Sequence, residues 1–138
     1  MKQSYYALTQ TTSLFDLIND WYCHPYIFNV IKYVVRSGKK DSLELVDLDK
    51  ALDYLKQYRN NIFINGKFTF TQSVEHENNM FIKYILHSDI APWAIEVLRF
   101  IIGHRTVVEL DIAQRLIEAH IHVLKCTPEE LIAMYKGI

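Results

Sequence analysis

No apolar run in the sequence is long enough to cross a membrane; even APWAIEVLRFIIG, residues 91–103, is broken by Glu96 and Arg99. An excess of one charge is missing too. Fifteen Lys and Arg face 16 Asp and Glu, a net charge of −1, so no global positive field draws the chain to nucleic acid and any anion site must be a local patch. Two cysteines, Cys23 and Cys126, are too few for a disulfide scaffold. The opening MKQSYYALTQ lacks the apolar stretch of a signal peptide, so a cytoplasmic protein with two free thiols and no membrane anchor is expected. No G-x-x-x-x-G-K-[ST] phosphate loop is present. Gly38-Lys39-Lys40-Asp41 lacks the upstream glycine, which excludes an ordinary P-loop kinase, and neither G-x-S-x-G nor H-E-x-x-H occurs.

What remains is an ordinary globular composition, 50% hydrophobic and 22% charged. Its length suits a single domain over residues 1–138. Helical spacing begins at Ser13, with Leu14, Phe15, Leu17, Ile18 and Trp21 on one side, and restarts at Pro25, where Ile27, Ile31, Val34 and Val35 share a face. Leu45, Leu48, Leu52 and Leu55 predict a helix from about Ser42 to Tyr58. The period then changes. IFINGKFTFT, residues 62–71, alternates about Asn65-Gly66, the preferred pair for a two-residue hairpin turn, and predicts a β-hairpin. Helix returns near Glu77, again from Pro92, from a Thr106…Glu109 capping box, and from Thr127-Pro128. The expected fold is mainly α, a bundle of about five to six helices with one hairpin. An internal echo pairs Val30–Val35 with Val97–Ile102, and Asp47-Leu48 and Leu52 with Asp111-Ile112 and Leu116. Two helical hairpins packed on each other would produce it, and so would chance among amphipathic helices.

The chemistry concentrates in NVIKYVVRSGKKD, residues 29–41. Asn29, Lys32, Arg36 and Lys39 or Lys40 line one side of a helix and its exit, and Lys50 can join them from the next helix. Phosphate suits such a set, because arginine offers a planar fork and lysine a mobile point charge. Tyr33 or Tyr54 could stack on a base, and Asn29 could hydrogen-bond a base or sugar. The plainer reading is a solvated face neutralised by Glu44, Asp47 or Asp49.

The order Asn29-x-x-Lys32-Tyr33-x-x-Arg36-x-Gly38-x-Lys40, followed by Asp47-Leu48-x-Lys50-Ala51-x-x-Tyr54-Leu55, resembles DUF3310, a small phage family described as nucleotide-kinase-like. The likeness covers about residues 13–58 and departs from the family pattern in places. The family glycine before the asparagine is Phe28, and the acid before Asp47-Leu48 is Val46. The resemblance implies a nucleotide-binding protein that transfers a phosphoryl group to a nucleoside monophosphate. Asn29, Lys32, Tyr33, Arg36, Lys40, Lys50 and Tyr54 would bind the nucleotide, and Arg36 and Asp47 would serve catalysis. Positioning, charge neutralisation and Mg²⁺ dominate such chemistry.

Other readings stay open. Glu44-x-x-Asp47, with Asp16 and Asp20, could form the carboxylate set of an all-α Mg²⁺-dependent nucleotide pyrophosphohydrolase, although acids one turn apart are usually surface decoration. Glu118, His122 and Cys126 line one helix face as a metal ladder or as plain surface. Cys23-His24 is a weak candidate nucleophile pair. Nine tyrosines, seven phenylalanines and two tryptophans also fit a non-enzymatic phage protein that binds and inhibits a host protein. A second copy completing the site would make a homo-oligomer.

Overall fold

The computed structural model of the protein describes residues 6–37, 39, 43–67 and 72–136. Among these, seven α-helices follow one another: α1 (Leu14–Asp20), α2 (Pro25–Arg36), α3 (Glu44–Gln57), α4 (Val74–Phe81), α5 (Pro92–Ile101), α6 (Val107–Lys125) and α7 (Pro128–Lys136). Two of them run on without a break into π-helical segments, α3 into Tyr58–Phe63 and α4 into Ile82–Leu86.

Most helix starts are written locally. The backbone N–H of Ser13 donates to Asp16 Oδ2 at 2.7 Å and closes a capping box at α1. Pro25 opens α2 while His24 Nδ1 accepts the Tyr26 N–H at 3.1 Å. Thr106 and Glu109 form the box at α6, and Thr127 Oγ1 accepts the Glu130 N–H at α7. Apolar spacing then assigns the inner faces. Ile27, Val30, Ile31, Val34 and Val35 of α2, Leu48, Ala51 and Leu55 of α3, Val97, Leu98 and Ile101 of α5, and Leu110, Ala113 and Ile117 of α6 join one continuous core.

The α2–α3 pair packs most extensively, followed by α5 on α6, α3 on α6 and α2 on α5. The contacts Arg36–Asp47, Tyr33–Lys50 and Tyr26–Tyr54 set α2 and α3 antiparallel. The α2–α3 and α5–α6 pairs thus pack against each other, and the two stretches of the internal sequence echo fall in these two pairs. The stretch just before α1 is also an anchor. Leu8 is fully buried, and its carbonyl accepts the Asp89 N–H at 2.8 Å.

The expected β-hairpin at 62–71 is not formed. Ile62 and Phe63 belong to the π-helical end of α3, and among the described residues the nearest thing to a strand is an isolated bridge between Ala7 and Ser13. Residues 68–71, the second expected strand, lie outside the described residues. Asn65-Gly66 does turn the chain, but as a helix cap. Gly66 takes φ +67°, its N–H donates to the Phe63 carbonyl at 3.1 Å, and the Lys67 N–H reaches back to the Ile62 carbonyl at 2.9 Å. These are the paired bonds of a Schellman ending.

Candidate functional site

The short link after α2 and the antiparallel return of α3 bring most of the expected residues onto one face. Asn29, Lys32, Tyr33, Arg36 and Tyr54 are half-buried and Lys50 is exposed. Lys32 Nζ lies 4.7 Å from the Tyr33 ring centroid and Lys50 Nζ 5.3 Å from it, within cation–π range. Tyr33 in turn stacks on Tyr54, with centroids 6.1 Å apart and planes 8° from parallel. The tyrosine ladder continues through Tyr26 to His24. Two ammonium groups therefore gather at one ring, and among the described residues neither forms an ion pair.

Arg36 and Asp47 sit together at the end of the face, Nε to Oδ2 at 3.6 Å. Their environments differ: the Asp47 side chain is 4% exposed and that of Arg36 34%. Burial pushes the Asp47 carboxyl above its ordinary value, while Arg36 and then Lys50 pull it back. Asp47 is thus a buried partner of Arg36, facing away from solvent. Lys39 leaves the face altogether. Its Nζ donates to the Ala7 carbonyl at 3.0 Å and holds the amino-terminal stretch. Lys40 lies outside the described residues.

The remaining candidate clusters are dispersed. Glu44 Oε1 meets His120 Nε2 at 3.1 Å, and the His120 ring stacks on Trp93 at 3.9 Å. Asp16 is occupied in its capping box, and Asp20 binds Tyr84 and Lys83. Among the described residues no three His, Cys, Asp or Glu side chains are placed to hold a metal ion. Cys126 Sγ is 3.7 Å from His122 Nε2, so that face carries a weak hydrogen bond. The Cys23 thiol is pushed up to about 12, first by burial and then by the Glu77 charge, which disfavours a thiolate beside His24.

Two features escaped the sequence reading. One is a buried polar network: Glu77 accepts the Trp21 indole N–H at 3.1 Å and pairs with Arg105. The other is a cavity of about 530 Å³ between the end of α1 and the start of α2. The only sequence signal for it is that Tyr22 and Phe28 lie off the apolar stripes that build the core.

Fold and face together define a mainly helical protein whose first helical hairpin carries a lysine–tyrosine surface. Residues 8–56 match the model of DUF3310, a family described as a protein of unknown function. All the candidate residues of the face lie within the matched segment. No curated protein and no solved structure matches the chain.

Proposed function

We propose that the α2–α3 face binds the phosphate groups of a nucleotide. The observation that carries this reading is the convergence of Lys32 and Lys50 on Tyr33, with neither lysine in an ion pair among the described residues. Two ammonium groups beside one ring repel, and a phosphate that contacts both would reverse the sign of that interaction. Arg36, one turn beyond Lys32, adds a guanidinium that sits beside buried Asp47. Phosphoryl transfer to a nucleoside monophosphate is the reaction class this binding would serve, since positioning and charge neutralisation carry most of it. Magnesium would enter with the phosphates, because Asp47 is committed to Arg36. Asn29 and Tyr54 flank the phosphates in this reading, and Lys40 follows them in sequence.

The alternative, a phage protein that binds a host protein, draws on α7, which has no buried residue and exposes Ile132, Met134 and Tyr135. Thermal-shift titration with nucleoside mono-, di- and triphosphates, with and without Mg²⁺, separates the two. A ligand at a hundred times its Kd adds about 2.7 kcal/mol of stability. The shift is expected for the parent protein and lost in Lys32→Ala/Lys50→Ala. No shift with any nucleotide defeats the phosphate reading.

A further inference from the structure

We infer that the cavity between α1 and α2 receives the base of the nucleotide whose phosphates lie on the α2–α3 face; the inference rests on that phosphate reading. At about 530 Å³ the cavity falls in the range of small-molecule sites. Trp21, Tyr22 and Phe28 give it aromatic walls, and Asn19, Asp20 and Gln72 give it amide and carboxylate groups. That is the combination a planar heterocycle requires, rings for its faces and hydrogen-bonding groups for its edge.

The polar groups are held in place. Gln72 Oε1 accepts the Tyr22 N–H at 3.1 Å, which ties the segment before α4 to the α1–α2 link. Asp20 Oδ2 accepts from the Tyr84 hydroxyl, with Lys83 Nζ 3.5 Å away, and His76 Nε2 bonds the Asp20 carbonyl at 2.9 Å. Asp20 Oδ1 has no hydrogen-bond partner among the described residues. Lys83 and Tyr84 are presented by the π-helical segment Ile82–Leu86, and π turns recur at functional sites.

The helix geometry connects cavity to cations. Phe28, Lys32 and Arg36 are spaced four apart on α2, so they follow one face. The rise of an α-helix puts Lys32 about 6 Å and Arg36 about 12 Å beyond Phe28 along the axis. A nucleotide laid along α2 therefore places its ring in the cavity and its phosphates among the cations.

Trp21 is one of two tryptophans, so Trp93→Phe leaves it as the sole tryptophan, in the cavity wall. This variant is titrated with nucleoside monophosphates, the matching nucleosides and inorganic tripolyphosphate, by fluorescence and by calorimetry. Nucleotide and nucleoside are expected to quench Trp21, and tripolyphosphate to bind without quenching it. Phe28→Ala should weaken nucleotide and nucleoside roughly tenfold, as loss of a base–ring stack does, and leave tripolyphosphate within about twofold. Lys32→Ala/Lys50→Ala should do the reverse. Tyr22→Ala, which trims a side chain 61% exposed, repeats the test if Phe28→Ala does not fold. Nucleotide binding that leaves Trp21 emission unchanged and ignores both ring variants overturns the base site while the phosphate reading stands. Failure of nucleotide and tripolyphosphate alike overturns both.

Discussion

At the residue scale, the Arg36–Asp47 pair shows what spacing conveys and what it does not. That Arg36 shares a face with Lys32 follows from their separation of four. That Asp47 is buried depends on how α2 and α3 close over it, which no local pattern encodes. The unequal exposure of the partners makes their loss unequal. Arg36→Gln leaves a buried carboxylate alone and should cost about 3 kcal/mol, whereas Asp47→Asn leaves a guanidinium that water can reach and should cost about 1 kcal/mol or less. Burial already raises the Asp47 pKa, so in Arg36→Gln the deficit should shrink as pH falls and the folded state takes up the proton first. Urea unfolding at neutral and mildly acidic pH reads both effects, and equal losses would refute the asymmetry. His104 gives the opposite slope. Its Nδ1–H donates to the Ile101 carbonyl at 2.7 Å, which leaves Nε2 to accept the Tyr58 hydroxyl proton at 2.8 Å. Burial lowers its pKa from the ordinary 6.5, so the unfolded chain takes up the proton first. Stability should be level above that value and fall as pH drops below it, with burial lowering His24 in the same sense. Tm measured from about pH 8 to about pH 5.5 checks this, and His104→Gln should flatten the slope while lowering Tm at neutral pH.

At the element scale, most starts of helices were legible because a cap is a local device: Ser13, Pro25, Pro92, Thr106 and Thr127 each do in the fold what the sequence says of them, whereas α4, expected near Glu77, begins at Val74 behind a Ser73 cap. Continuations were not. Asn-Gly between alternating apolar residues reads equally as a hairpin turn or a helix cap, since both require a left-handed glycine. Burial of Tyr58, with its hydroxyl on His104, decides for helix by drawing the chain past Gln57 in a π turn. Gly66 tests the assignment. Nothing lies within 4 Å of a Cβ placed there, so a substitution meets only backbone strain. Gly66→Ala should cost about 1 kcal/mol, a fall in Tm of roughly 2–4 °C for a domain of this size. The Lys67 amide, bonded to Ile62, should also lose protection in hydrogen exchange. An unchanged Tm would mean that the turn does not hold this conformation.

At the scale of the whole molecule, the face and the cavity differ in how they are made. The face sits on two adjacent helices, so counting along each one found it. The cavity joins the end of α1, the start of α2 and Gln72 from a distant segment, and no spacing rule spans such separations. The same argument applies to the segment that carries the family match. α3 packs on α6 as well as on α2, α2 also meets α5, and Leu48, Ala51 and Leu55 are fully buried in the assembled core. Cut from α5 and α6, the first hairpin would return those side chains to water at roughly 2 kcal/mol for each large aliphatic group. The two leucines alone come to about 4 kcal/mol, close to the lower end of the 5–15 kcal/mol by which a whole domain is stable, before the rest of the α3–α6 and α2–α5 contact is lost. A fragment of residues 1–63 should therefore show no cooperative thermal transition by circular dichroism. Residues 1–127 should melt as the full chain does, because α7 buries nothing. Cooperative melting of the shorter fragment would make the family segment a unit in its own right. Loss of Tm in the longer one would mean that α7 is covered in solution.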